Sequence, residues 1–150
     1  MTLAHIIKHT PPWIPSTAVI AIIGYISLDS DPLSISHIHL FYGADKIIHF
    51  IMYFTLCTVL ILDYAKTRLP HHTQLSTEIA FTTLAFALGL IFEVLQGAIT
   101  ENRTFDIYDI VANTSGAVAG FAFLKLWLMH KFRKLMVPHY GKHRHHRHSR

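Results

Sequence analysis

Four long apolar stretches limit what this chain can fold into: WIPSTAVIAIIGYISL (13–28), IIHFIMYFTLCTVLIL (47–62), IAFTTLAFALGLIFEVLQGAI (79–99) and IYDIVANTSGAVAGFAFLKLWLM (107–129). Each approaches the roughly 20 residues that cross about 30 Å of hydrocarbon as a helix, the first two by borrowing flanking residues. A soluble bundle would need a charged face on every helix. Residues 47–62 and 79–92 carry no charge at all, and the chain is 51% hydrophobic and 15% charged. The sequence therefore predicts an all-α integral membrane four-helix bundle, with helices over 13–29, 46–63, 78–99 and 107–129. This divides the chain into an N-terminal segment (1–12), a membrane domain (13–129) and a basic, His-rich tail (130–150).

The first apolar stretch follows Lys8 as a signal peptide would, but SLDSDPLS offers no small-x-small cleavage site, so it is expected to be retained. Eleven basic residues fall before helix 1, between helices 2 and 3, or from Lys125 onward, against two, Lys46 and Arg103, on the opposite face. By the positive-inside bias both termini are expected in the cytoplasm. Asp29, Asp31, Asp45, Glu101, Asp106 and Asp109 mark the other face as acidic. The tail KFRKLMVPHYGKHRHHRHSR is expected to lie against anionic lipid, not nucleic acid. Arginines interleave with its histidines (His139, His143, His145, His146, His148) and repel cations, so no metal is expected there. The single Cys57, mid-helix, reads as a small buried apolar residue.

The polar residues within the spans carry the functional signal. Asp45, His49 and Tyr53 are spaced i, i+4, i+8 and share one face of helix 2. Asp109, Asn113, Gly116 and Gly120 form a stripe on helix 4, and Ala112, Gly116 and Gly120 make a small-xxx-small series suited to close helix packing. The NTS at 113–115 matches a glycosylation sequon but falls inside a membrane helix, where the match has no meaning. Glu93 and Gln96 end helix 3, and Glu93 lies six residues before Ile99, about 9 Å inside the helix and too deep to be a cap. A carboxylate at that depth must turn inward, pair, or keep its proton. Antiparallel order brings the start of helix 2, the end of helix 3 and the start of helix 4 to one level, where Arg103 and Asp106 join them. The expectation is an outward-facing polar pocket.

The motifs DKIIHFIMYF (45–54), EVLQ (93–96) and RTFDIYDIVANTSGAVAG (103–120) together resemble the VanZ-like family of small bacterial membrane proteins over roughly residues 45–125. Asp45, Lys46, His49, Phe50, Tyr53, Glu93, Gln96, Arg103, Asp106, Asp109, Asn113 and Gly116 stand at the matching places. The resemblance implies a multi-pass protein of the bacterial cytoplasmic membrane, some of whose relatives confer low-level teicoplanin resistance.

The leading expectation is a site for an anionic lipid or lipid-linked envelope precursor. Lys46 and Arg103 would meet phosphate, and Glu93, Gln96, Asp106, Asp109 and Asn113 would shape the pocket. An enzymatic alternative makes His49 a general base or nucleophile oriented by Asp45. A proton pathway through Glu93 ranks last, because four short helices would have to form a homo-oligomer to offer alternating access. No cofactor is expected, and no metal, because His49, Glu93 and Asp109 match no recognised ligand spacing.

Overall fold

A computed structural model describes residues 9–28, 43–99 and 105–137. Among these the regular elements are all helices: α1 (Ile14–Leu28), α2 (Ala44–Arg68), α3 (Leu75–Ile99) and α4 (Ile107–Phe123). Helix α4 continues without a break through a π-helical turn (Leu124–Leu128) into α5 (Met129–Met136). The four-helix architecture agrees with the apolar pattern. Three continuous helices, Ala44–Arg68, Leu75–Ile99 and Ile107–Met136, are long and apolar enough to cross a membrane. α1, at 15 residues, is not; it rises only about 22 Å.

Three helices outrun the ranges expected from hydropathy, α3 only by starting three residues early at Leu75. α2 adds a turn carrying Lys66 and Arg68, whose cations complement the partial negative charge of a helix C-terminus. It stops where Leu69 turns extended ahead of Pro70, which cannot continue a helix. α5 carries the fourth helix beyond residue 129 to Met136, with buried Phe132 and Arg133 turned inward.

α2 is the axis of the bundle. Tyr53, Leu56, Cys57, Leu60 and Ile61 are each buried to 3% exposure or less, and Ile23, Ala85, Ala117 and Leu124 pack against them from the other helices. The large apolar side chains on the outside, among them Ile51, Ile91, Val94, Val118 and Leu126, are exposed. Polar groups such as Glu78, Glu93, Gln96 and Asn113 are buried instead. A water-soluble bundle has the reverse distribution; this one suits a hydrocarbon solvent, which makes internal polar contacts obligatory. Trp13 and Trp127 stand at one end of the bundle and Tyr25 and Tyr108 at the other, each 40% exposed or more, as interfacial aromatics do.

The closest helix contact is between α2 and α4. A methyl group built on Gly116 would lie 2.3 Å from the Phe50 carbonyl oxygen, and one on Gly120 would lie 2.5 Å from that of Phe54. Both glycines and both carbonyls are one turn apart, so two successive turns of backbone pass within contact of each other. Only glycine allows that approach.

α1 is fastened at its start. The Ser16 amide and hydroxyl both donate to Asp63 Oδ2 on α2, at 3.0 and 2.6 Å. The buried carboxylate thus satisfies an otherwise orphaned first-turn N–H and faces the positive end of the α1 dipole.

Candidate functional site

The polar side chains of α2, α3 and α4 meet in one layer, where α2 begins, α3 ends and α4 begins. Lys46 lies at its rim, its side chain 32% exposed. Its Nζ stands 2.6 Å from Asp45 Oδ2, 2.6 Å from Asp106 Oδ2 and 3.0 Å from Asp109 Oδ1. Asp106 is also the N-cap of α4: its Oδ1 accepts from the Tyr108 amide at 2.9 Å. Lys46, and then that amide, hold the Asp106 carboxyl below the ordinary aspartate range.

Deeper in, His49 Nδ1 lies 3.0 Å from Asn113 Oδ1. An amide oxygen only accepts, so Nδ1 donates to it and the ring is held with Nε2 turned away from Asn113. Facing Nε2, at 3.8 Å, is Asp109 Oδ2. Asp109 therefore divides its two oxygens between Lys46 and His49. Asp45, which helical spacing offers as the carboxylate for His49, pairs with Lys46 instead. The pairing beside His49 comes from α4 across the tight α2–α4 contact.

Glu93 forms the floor, 1% exposed. One oxygen accepts the Asp106 amide at 2.8 Å, tying the start of α4 to the end of α3. The other, Oε2, is buried with no hydrogen-bond partner, as is the hydroxyl of Tyr53. Leaving such a group unsatisfied costs about 1–3 kcal/mol, more for a charge. His49, Glu93 and Asp109 are all buried and each contributes a ligating atom within 4.8 Å of the others. Gln96 is buried one turn further along the same helix. Asn113, at 2% exposure and engaged with His49, is not open to glycosylation.

Of the residues singled out from sequence, Asp45, Lys46, His49, Glu93, Gln96, Asp106, Asp109 and Asn113 thus belong to this layer. Gly116 and Gly120 lie beneath it at the α2–α4 contact, with Ala112 half-buried above them. Arg103 and the tail histidines lie outside the described residues. Cys57 is free and buried.

A second polar layer occupies the opposite end. Fully buried Glu78 pairs with Lys125 of the π-helical turn at 2.5 Å and accepts from Thr73. Arg133 reaches His72 Nδ1 at 2.7 Å and Thr73 at 3.4 Å. The same antiparallel depth matching applied to Glu78 and Lys125 would have found it. Beside this layer an apolar cavity of about 630 Å³ opens near Asp63, Lys66 and Lys131.

Long apolar helices enclosing a buried, multi-helix polar layer define a small helical membrane protein with an intramembrane polar site. The sequence signature of the VanZ/LLP1 family matches residues 3–128, and the chain belongs to that family. It is also similar to an uncharacterized protein of Schizosaccharomyces pombe, 29% identical over 99 residues. That match covers 65% of this chain and 56% of the yeast protein, so the chain spans little more than half the length of that relative. No solved structure matches the chain.

Proposed function

We propose that the layer around Lys46 and Glu93 is the head-group end of a membrane pocket that engages an anionic lipid or lipid-linked envelope precursor. The observation that carries this reading is Lys46: its ammonium is gathered by three carboxylates yet keeps a third of its side chain exposed at the rim of a buried polar layer. An incoming phosphate would compete with Asp45 and Asp106 for that cation, and Arg103 supplies a second cation close by in sequence. Glu93 and Asn113 would orient the head group from below. The basic bias of the loops and termini supports reading this end of the bundle as the outer face.

Family membership supports a role in the cell envelope. The VanZ resemblance adds the bacterial cytoplasmic membrane and a relation to teicoplanin resistance to the same reading. The similar yeast protein favours framing the ligand as a phosphate-bearing lipid, a chemistry common to both kinds of cell. The test is mass spectrometry of lipids that co-purify with wild type, Arg103→Ala and Glu93→Gln. A lipid retained by wild type and depleted at least tenfold in Arg103→Ala is expected. An unchanged lipid complement in variants that accumulate normally would refute the reading.

The pairing of His49 with Asn113 and Asp109 favours one alternative, an enzyme acting on a lipid phosphate or lipid-linked sugar. An imidazole oriented by an amide on one side, with its other nitrogen beside a carboxylate, is arranged for proton transfer. Turnover of a labelled lipid phosphate that disappears in His49→Ala would select this alternative; stoichiometric binding without turnover would reject it.

A further inference from the structure

We propose that His49, Glu93 and Asp109 form a binding site for one divalent metal ion. The three residues come from three different helices, all are buried, and their ligating atoms converge within 4.8 Å. Ligands to a bound ion at about 2.0–2.2 Å stand some 3–3.5 Å apart, so closure requires these side chains to draw in by about an ångström.

Two features beyond convergence point to an ion. Glu93 Oε2 is buried without a hydrogen-bond partner, while its sister oxygen is fixed by the Asp106 amide. Such a carboxylate is oriented but unfinished. His49, in turn, is oriented as ligating histidines are: one ring nitrogen meets an acceptor, here Asn113 Oδ1, which fixes the ring and turns the other nitrogen toward Asp109. Nε2 and Asp109 Oδ2 stand 3.8 Å apart, a separation that a cation bound between them would span.

One imidazole and two carboxylates suit a divalent ion that accepts both nitrogen and oxygen donors, such as Mn²⁺ or Zn²⁺, with remaining positions open to water or substrate oxygen. Among the described residues the layer holds Asp45, Glu93, Asp106 and Asp109 against Lys46, a formal balance of −3 with His49 neutral. A divalent ion brings it to −1. That easing of charge would help an anionic head group, a link that rests on the reading above. The measurement below contains no added lipid and decides the ion alone.

The tail histidines would confound any metal titration, so the full-length chain is used with His139→Ala, His143→Ala, His145→Ala, His146→Ala and His148→Ala. Purified in detergent and freed of metal by chelation, it is titrated with Mn²⁺ and followed by electron paramagnetic resonance. One ion per chain is expected, with pulsed spectra showing nitrogen coupling from an imidazole. Glu93→Gln in the same background should weaken binding at least about 100-fold, and Asn113→Ala about 10–100-fold through loss of the histidine's orienting partner. Circular dichroism and elution volume confirm that each variant has folded. The proposal is overturned if the parent chain binds no stoichiometric Mn²⁺, if the bound ion lacks nitrogen coupling, or if folded Glu93→Gln binds as the parent does. The first two readouts decide the matter even where the variants fail to fold.

Discussion

Replacing Gly116 by alanine is expected to damage both the bundle and the polar layer. The added methyl would sit 2.3 Å from the Phe50 carbonyl oxygen, whereas close carbon–oxygen contacts settle near about 3.3 Å. α2 and α4 must therefore separate by about 1 Å at this point. The obstacle is backbone, which no side-chain rotation can clear, so the upper end of the overpacking range applies, about 3 kcal/mol. The gain in helix propensity from Gly to Ala returns about 1 kcal/mol, leaving a net loss of about 2 kcal/mol. Asn113 lies one turn from Gly116, and His49 adjoins Phe50. The same displacement would stretch their 3.0 Å contact beyond hydrogen-bonding range. Gly24→Ala provides the control, because a methyl there meets only the Phe92 ring at an ordinary 3.4 Å. Reversible denaturation in mixed micelles should show Gly116→Ala less stable than wild type and Gly24→Ala unchanged or slightly more stable. Equal stability of Gly116→Ala and wild type would refute the inference of backbone contact between α2 and α4.

Three further outcomes follow from the same contacts. Asp63→Ala removes the carboxylate that accepts from both the Ser16 amide and hydroxyl; it should cost about 1–2 kcal/mol and fray the start of α1, read by hydrogen exchange at its first turn. Glu78→Gln alone removes the buried partner of the exposed Lys125 ammonium and should cost about 1–3 kcal/mol, whereas Glu78→Gln with Lys125→Met should recover most of it; a neutral single variant would show that the pair contributes nothing. Asp106 titrates below the ordinary aspartate range when folded, so its capping of α4 is fully present above the unfolded value and lost only as pH falls through the folded one. Exchange of the Tyr108 amide, corrected for its intrinsic rate, should therefore be as protected at pH 5 as at pH 7 and lose protection only under stronger acid.

Much of this organisation is legible in the sequence because depth in a membrane bundle follows from helix order alone. Asp45 and His49 open one helix, Glu93 and Gln96 close the next, and Asp109 and Asn113 open the last, so antiparallel packing brings them level. What spacing along a helix does not reveal is which neighbour crosses it, and how closely. Asp45 shares a face with His49, but the glycine contact brings Asp109 to the imidazole instead. The bond from Ser16 to Asp63 links residues 47 apart, and the contact between Arg133 and His72 links residues 61 apart. No local pattern encodes either one. Hydropathy also fails at helix ends: the buried Asp63 lies within α2, not at its end, because Ser16 satisfies its carboxylate, and the fourth helix runs past residue 129 with Arg133 entering a polar layer.

The backbone contact at Gly116 and Gly120 also governs how the polar layer could open. Lys46 and His49 on α2, and Asp109 and Asn113 on α4, are carried by two helices pressed together too tightly to slide or part. They form a fixed jaw. Glu93 rides on α3, whose glycines Gly89 and Gly97 close on the side chains of Tyr53 and Asn113 and on the Phe105 backbone; it is joined to the fixed jaw near this end by its bond to the Asp106 amide and at the far end by the pair between Glu78 and Lys125. A movement of α3 away from that jaw would first have to release the bond between Glu93 and the Asp106 amide.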